Sequence, residues 1–389
     1  MSGERADDPL YIPTVGQVRE SLGRRGLLYI GDRKMAALAT RAFVQAGGDF
    51  YLCPLPQTQL PPEELEAYLA PVWEGQQELA DIYRQKEAGE QEPIAQGFER
   101  QETLVAEVDG ETIVWVEWRL VVRSLKQAQR AEKALRTRLA KAQDALAALN
   151  KRGRGRKRFT ELEELRRVAE AIIARYRVQG LLRLGYQEIV HERPIRRYRN
   201  RPATVRIERE VRVAVEVDAT ALEEAVRRLG WRVYATNAPA EQLSLEQAVL
   251  AYRHEYIIER AFGRLKGKPL SLTPMYLQRD DHTTGLIRLL SIGLRVLALV
   301  EFVVRRRLAA EGSRLAGLYA GNPKRATARP TAELLLKAFK EITLTIIQEA
   351  DQTRYHLTPL TGVQQRILEL LGFPVTIYTV LCTNCSKPP

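Results

Sequence analysis

Four apolar residues in a row, Leu27-Leu28-Tyr29-Ile30, stand in an otherwise polar stretch and have the length of a buried strand. They follow a short helical pattern, 15–22, that ends at Gly23 and Gly26. A helix over 35–45 comes next, stopped by Gly47-Gly48, then a strand at 50–52 halted by Pro54 and Pro56. Residues 61–86 read as helical, with Pro61-Pro62-Glu63-Glu64 as a first turn. Alternation over 103–108 and 112–122, around Asp109-Gly110, predicts a hairpin. The period then lengthens. Leu135, Leu139, Ala142, Leu146 and Leu149 form one stripe, and Leu162, Leu165, Ala169, Ile172 and Tyr176 another. These predict an antiparallel helical hairpin over 125–178. Strands follow at 181–190 and 204–217, a helix at 219–229 and a strand at 231–236. A long helix over 244–266 is expected next, with Ser244 and Gln247 as a capping box. Residues 285–307 predict a mostly buried helix covering a sheet, and further helices are expected at 331–349 and 361–371. The overall pattern is mixed α/β.

Composition narrows the function. With 389 residues, 45% of them hydrophobic, the chain can bury a large core in two or three domains. Its net charge of +12 favours a polyanionic partner, nucleic acid first. Cys53, Cys382 and Cys385 make no disulfide framework and fit a reducing cytosol. Cys382 and Cys385 form a lone CxxC without a second ligand pair, so no zinc site is expected. The opening residues lack an apolar signal region, and the most apolar run, 286–304, is interrupted by Arg288, Arg295 and Glu301, which argues against a membrane span. There is no internal repeat, glycine-rich phosphate loop or Ser-His-Asp pattern.

Candidate chemistry gathers in a few places. On a continuous helix, Tyr252, Glu255, Glu259 and Lys266 would share one face, with Ile257, Ile258, Ala261, Phe262 and Leu265 turned to the core. A carboxylate between a phenol and a lysine suits metal-assisted phosphate chemistry, although the same spacing also describes a solvated helix face. Asp32 falls where the first buried strand meets a helix, a place for a site residue or for a helix cap. Arg152, Arg154, Arg156, Lys157 and Arg158 crowd the tip of the helical hairpin, and five arginines surround Tyr198 in 193–201. Either run could grip DNA phosphates or be a solvated charge run. Asp280-Asp281-His282 could bind a metal ion through Asp280 and His282, but reads better as a polar helix start.

The spacing Tyr252, Glu259, Lys266 resembles the Tyr-x2-Arg-x3-Glu-x6-Lys signature of a group of bacterial insertion-sequence transposases, the DDE type with an RNase H-like catalytic domain. Three of its four positions match. Glu255 stands at the arginine position, with Arg253 close by. The stretches LLYIGDRKM, DFYLCPL, GWRVYATNAP and GKPLSLTPMYLQRDDHTTGL resemble the same group, over roughly 6–56 and 231–371. The resemblance implies an incomplete RNase H-like catalytic domain, interrupted by a large α+β insertion that contains the helical hairpin, and followed by C-terminal helices. Its segments would be 1–60 and 231–310 for the catalytic domain, 61–230 for the insertion and 311–389 for a helical region.

It implies DNA transposition by phosphoryl transfer with two Mg²⁺ or Mn²⁺ ions. Asp32 and Glu259 would be catalytic and would bind the metal, and Tyr252, Arg253, Lys266 and the basic loop would hold DNA phosphates. Partners would be transposon ends and target DNA, with a homodimer among the forms allowed, in the bacterial cytoplasm and at the nucleoid. An earlier strand should carry a first aspartate, and the 31 residues before Asp32 hold no strand of that type. The chain therefore resembles a transposase that begins within its catalytic domain. Its cleavage should be impaired, and its sheet should expose an apolar edge that favours aggregation or oligomers. The alternative is a catalytically inert, transposase-derived DNA-binding protein.

Overall fold

Residues 1–254 and 255–389 form two compact units, and the computed structural model describes residues 8–85, 90–153, 158–195, 204–349 and 352–383. In the first unit the chain runs α1 (Tyr11–Leu22), β1 (Leu28–Ile30), α2 (Leu38–Ala46), β2 (Phe50–Pro54), α3 (Pro62–Trp73), β3 (Ala80–Gln85), β4 (Gln91–Val108) and β5 (Glu111–Ser124). It continues through α4 (Leu125–Leu149), α5 (Leu162–Tyr176), β6 (Leu182–Ile195), β7 (Thr204–Val217), α6 (Ala219–Arg227), β8 (Trp231–Thr236) and α7 (Leu245–Arg253).

Six strands make one sheet in the order β1-β2-β8-β5-β4-β3. β1 and β2 are parallel, joined through α2, and every other pair is antiparallel. The expected strands at 27–30, 50–52 and 231–236 are therefore neighbours. The hairpin β4–β5, within the stretch expected to be an insertion, belongs to the same sheet through the β5–β8 ladder.

Alternation distributes the side chains to two cores. Tyr51 and Cys53 of β2, Val121 of β5 and Val233 and Ala235 of β8 meet Val15, Val44, Tyr68 and Leu69 from α1, α2 and α3. Leu52, Leu120 and Val122 point the other way, onto Ala248 and Val249 of α7. The sheet is thus covered on both faces.

The helical hairpin holds as read. Leu135, Leu139, Ala142 and Leu146 of α4 and Leu165 and Ala169 of α5 are buried, packed with the β6–β7 ribbon. The free side of β7 is closed by other groups. Asn150 donates to the Val213 carbonyl and accepts from its N–H (2.7 and 3.0 Å), while the Phe159 carbonyl accepts from the Val211 N–H.

The second unit contains α8 (Tyr256–Lys266), α9 (Asp280–Ala310), α10 (Ala332–Lys337), β9 (Leu344–Glu349), β10 (Gln352–Leu357), α11 (Gly362–Leu371) and α12 (Thr376–Thr383). Its core joins Val304 and Leu308 of α9 to Leu315, Leu318, Leu335, Ile367 and Leu370.

Several expectations need correction. The helix expected over 61–86 ends at Trp73. Gly75 adopts a left-handed φ of 71°, and Ile82 is buried in the sheet as part of β3. The helix expected over 331–349 stops at Lys337, because the β-branched run around Ile346 pairs with β10. The single helix expected over 244–266 is two, with a turn at His254–Glu255. Its capping box, Ser244 with Gln247, is present. α9 is not mostly buried: only Glu301, Val304 and Leu308 are fully so.

Candidate functional site

Asp32 follows β1 directly, after Gly31, whose N–H bonds to the Leu52 carbonyl of the parallel neighbour. A side chain at Gly31 would run into Met35, with its Cβ 2.5 Å from the sulfur, so the strand-to-turn passage depends on glycine. The Asp32 carboxylate is exposed. Its Oδ1 accepts the Tyr11 hydroxyl at 2.8 Å and the Lys34 N–H at 2.9 Å, the second an Asx turn. Its Oδ2 has no hydrogen bond among the described residues. Asp32 does not cap α2, which begins at Leu38 with Ala37 at the cap position. Burial raises the Tyr11 phenol well above its ordinary value, and the hydrogen bond to the Asp32 carboxylate adds to the rise.

Behind this strand end lies a polar cluster that the sequence reading did not single out. Glu117 of β5 is fully buried. Its Oε2 accepts from both Arg41 of α2 and the Tyr51 hydroxyl, and its Oε1 lies 3.0 Å from Arg119 Nη2. Trp115 donates to the Tyr51 oxygen at 2.9 Å, and Gln59 accepts from Arg41 at 2.9 Å. Arg119 Nε and Nη1 are buried without a hydrogen-bond partner among the described residues.

Burial pushes the Tyr51 phenol far up, aided by the Glu117 charge. Burial alone would lower Arg41, but Glu117 outweighs it and holds the guanidinium above its ordinary value. The Cys53 thiol, buried beside them, is pushed up to about 12, chiefly by burial. The signal was in the sequence: Glu117 and Arg119 lie between Trp115 and Val121 on one face of an apolar strand.

The motif residues are divided between elements. Tyr252, on α7, packs against Tyr234 with ring centroids 4.8 Å apart. Arg253 is half-buried and donates to the Ile94 carbonyl at 3.0 Å and the Ser124 hydroxyl at 3.4 Å. Burial lowers its pKa. It thus ties α7 to β4 and the end of β5. Glu259 and Lys266 lie on α8, in the second unit, and both are exposed. The one continuous face expected for Tyr252, Glu255, Glu259 and Lys266 is therefore interrupted by the turn. Ile257, Ile258 and Phe262, expected to face a core, are exposed.

The buried group on α8 is Arg264, missed from the sequence. It donates to Glu301 of α9 and to Glu333 of α10 (2.6 and 3.0 Å). Glu301 also pairs with Arg260 at 2.9 Å and with Arg305. Burial pushes the Glu333 carboxyl up, but bonds from Arg264, its own N–H and Thr331 outweigh it and hold it at about 2.

Of the basic tip, Arg152 pairs with Glu210, and Arg158 lies 3.8 Å from Glu208, both acids on β7. Arg154, Arg156 and Lys157 lie outside the described residues, as do Cys385 and residues 196–201. Asp281 is bound by Arg279 at the start of α9, as a polar helix start would be.

Among the described residues, no group of three or more His, Cys, Asp or Glu side chains could hold a metal ion. Asp32 offers one open oxygen, whereas Mg²⁺ takes about six oxygen ligands, waters included. That fits a single contact, not a pair of ions. No helix among the described residues is long and apolar enough to cross a membrane. No protein-family model and no curated protein matches the chain.

Proposed function

We propose that the chain is a transposase-like DNA-binding protein, with a catalytic domain of RNase H type that performs metal-dependent phosphoryl transfer at transposon ends poorly. The observation that carries this reading is Asp32. It is an exposed acid at the carboxyl end of β1, in a β-α-β unit of parallel strands, where open α/β sheets present their reactive groups. The motif resemblance adds Glu259 as the second acid, and the net charge of +12 favours a polyanionic substrate. Mg²⁺ or Mn²⁺, when bound, would supply Lewis-acid stabilisation of the phosphate. Lys266, exposed two turns beyond Glu259, is available to a phosphate, whereas Arg253 serves packing.

The second reading, an inert DNA-binding protein, is favoured by the single open carboxylate oxygen at Asp32. The test is cleavage of duplex DNA carrying the element's own terminal repeats, with Mg²⁺ or Mn²⁺, against Asp32→Asn and Glu259→Gln. Weak nicking that both variants abolish is the expected result. DNA binding with no nicking at all establishes the inert reading, and absence of DNA binding removes both.

A further inference from the structure

α9 is 31 residues long, about 46 Å at the usual rise, and it is apolar on two sides. One side seats Val304 and Leu308 in the core of its unit. The other carries Leu289, Ile292, Val296 and Leu299, which are 64, 57, 54 and 61% exposed. Their 3-4-3 spacing is that of the a and d positions of a heptad seam, the pattern by which one long helix receives another. In that frame Arg288 and Arg295 both fall at position g, directly beside the seam. Both are exposed, and neither has an ion pair or hydrogen bond among the described residues. Arg305 on the same helix, by contrast, is held by Glu301. A contiguous apolar row of this kind marks an interaction surface rather than scattered surface hydrophobes.

We propose that this side of α9 is a docking seam for an acidic amphipathic helix of a partner protein, with apolar a and d positions and carboxylates beside them. The charges select the partner. A parallel second copy would set Arg288 and Arg295 against the e positions, Gly293 and Val300, which offer no acid. An antiparallel copy would set arginine against arginine. Neither arrangement satisfies the two guanidinium groups, and both bury charge beside an apolar seam. A helix with Glu or Asp at e, or at g when antiparallel, satisfies both.

The test uses the full chain and two synthetic helices about three heptads long, with Leu at a and d and either Glu or Lys at e and g. The Glu helix should bind about tenfold more tightly than the Lys helix or better. The double variant Arg288→Glu, Arg295→Glu should reverse that preference. Ile292→Asp should abolish binding of both helices while leaving the unfolding midpoint in place. Equal binding of the two helices, no binding, or a preference unchanged by the double variant would overturn the proposal. So would a dimer of the chain alone that Ile292→Asp dissolves, or binding to anionic lipid vesicles that the same substitution abolishes.

Discussion

Glu117 is fully buried between two guanidinium groups, so its charge has no substitute nearby. Replacing it with Gln leaves Arg41 and Arg119 buried without a counter-charge. Breaking such a pair costs about 3–5 kcal/mol. Urea unfolding of Glu117→Gln should show a loss of that order, and a change below about 1 kcal/mol would mean that water already reaches the cluster. Glu333 gives a pH signature instead. Its carboxyl is held at about 2 against an ordinary 4.5. A depressed carboxyl stabilises fully above its unfolded value, and the contribution disappears as pH falls through the folded value. The wild-type chain should therefore lose stability between about pH 4.5 and 2, and Glu333→Gln should flatten that part of the melting-temperature profile. An unchanged slope would show that the Arg264 bond does not hold in solution.

At the scale of elements, Gly230 shows how closely the sheet and the helical hairpin are joined. It links α6 to β8 with a φ of 87°, and a Cβ there would lie 2.7 Å from Ala128 of α4 and 2.9 Å from the Ser124 carbonyl. Gly230→Ala therefore meets both strain and overlap, and should destabilise the chain by about 2–4 kcal/mol in thermal unfolding. Wild-type behaviour would show that α4 can withdraw from this turn.

Sequence patterns located most of these elements, because strands such as Trp231–Thr236 and the stripes of α4 and α5 carry their period openly. The failures have identifiable causes. Residues 80–85 look helical beside a helix, and become a strand only because β4 is there to pair with Ile82. Residues 344–349 likewise take their form from β10. The break at His254–Glu255 leaves both residues with helical torsions, so no proline or glycine announces it. The position of Asp32 at a strand end was legible from Leu27 to Ile30. Two charges on an apolar strand marked Glu117 and Arg119, but their partners Arg41 and Tyr51 were not legible, nor was the Glu301 cluster, because those partners come from distant segments.

The whole molecule is basic, at +12, and the proposed DNA binding rests on that charge more than on any one arginine. Arg152 and Arg158 already have acidic neighbours on β7, so single substitutions there should weaken DNA binding only slightly. Salt should weaken it greatly: affinity for duplex DNA should fall by about a hundredfold or more between about 50 and 200 mM monovalent salt. A flat salt response in a filter-binding titration would remove DNA as the partner.

Cys53 is the penultimate residue of β2. It is wholly buried beneath α1 and α2, and its thiol is pushed up to about 12. A thiol-specific reagent can reach it only when the helix layer lifts from the sheet. In a chain with Cys382 and Cys385 replaced by serine, the rate of Cys53 modification becomes a clock. It counts how often the floor beneath Asp32 opens, with no denaturant.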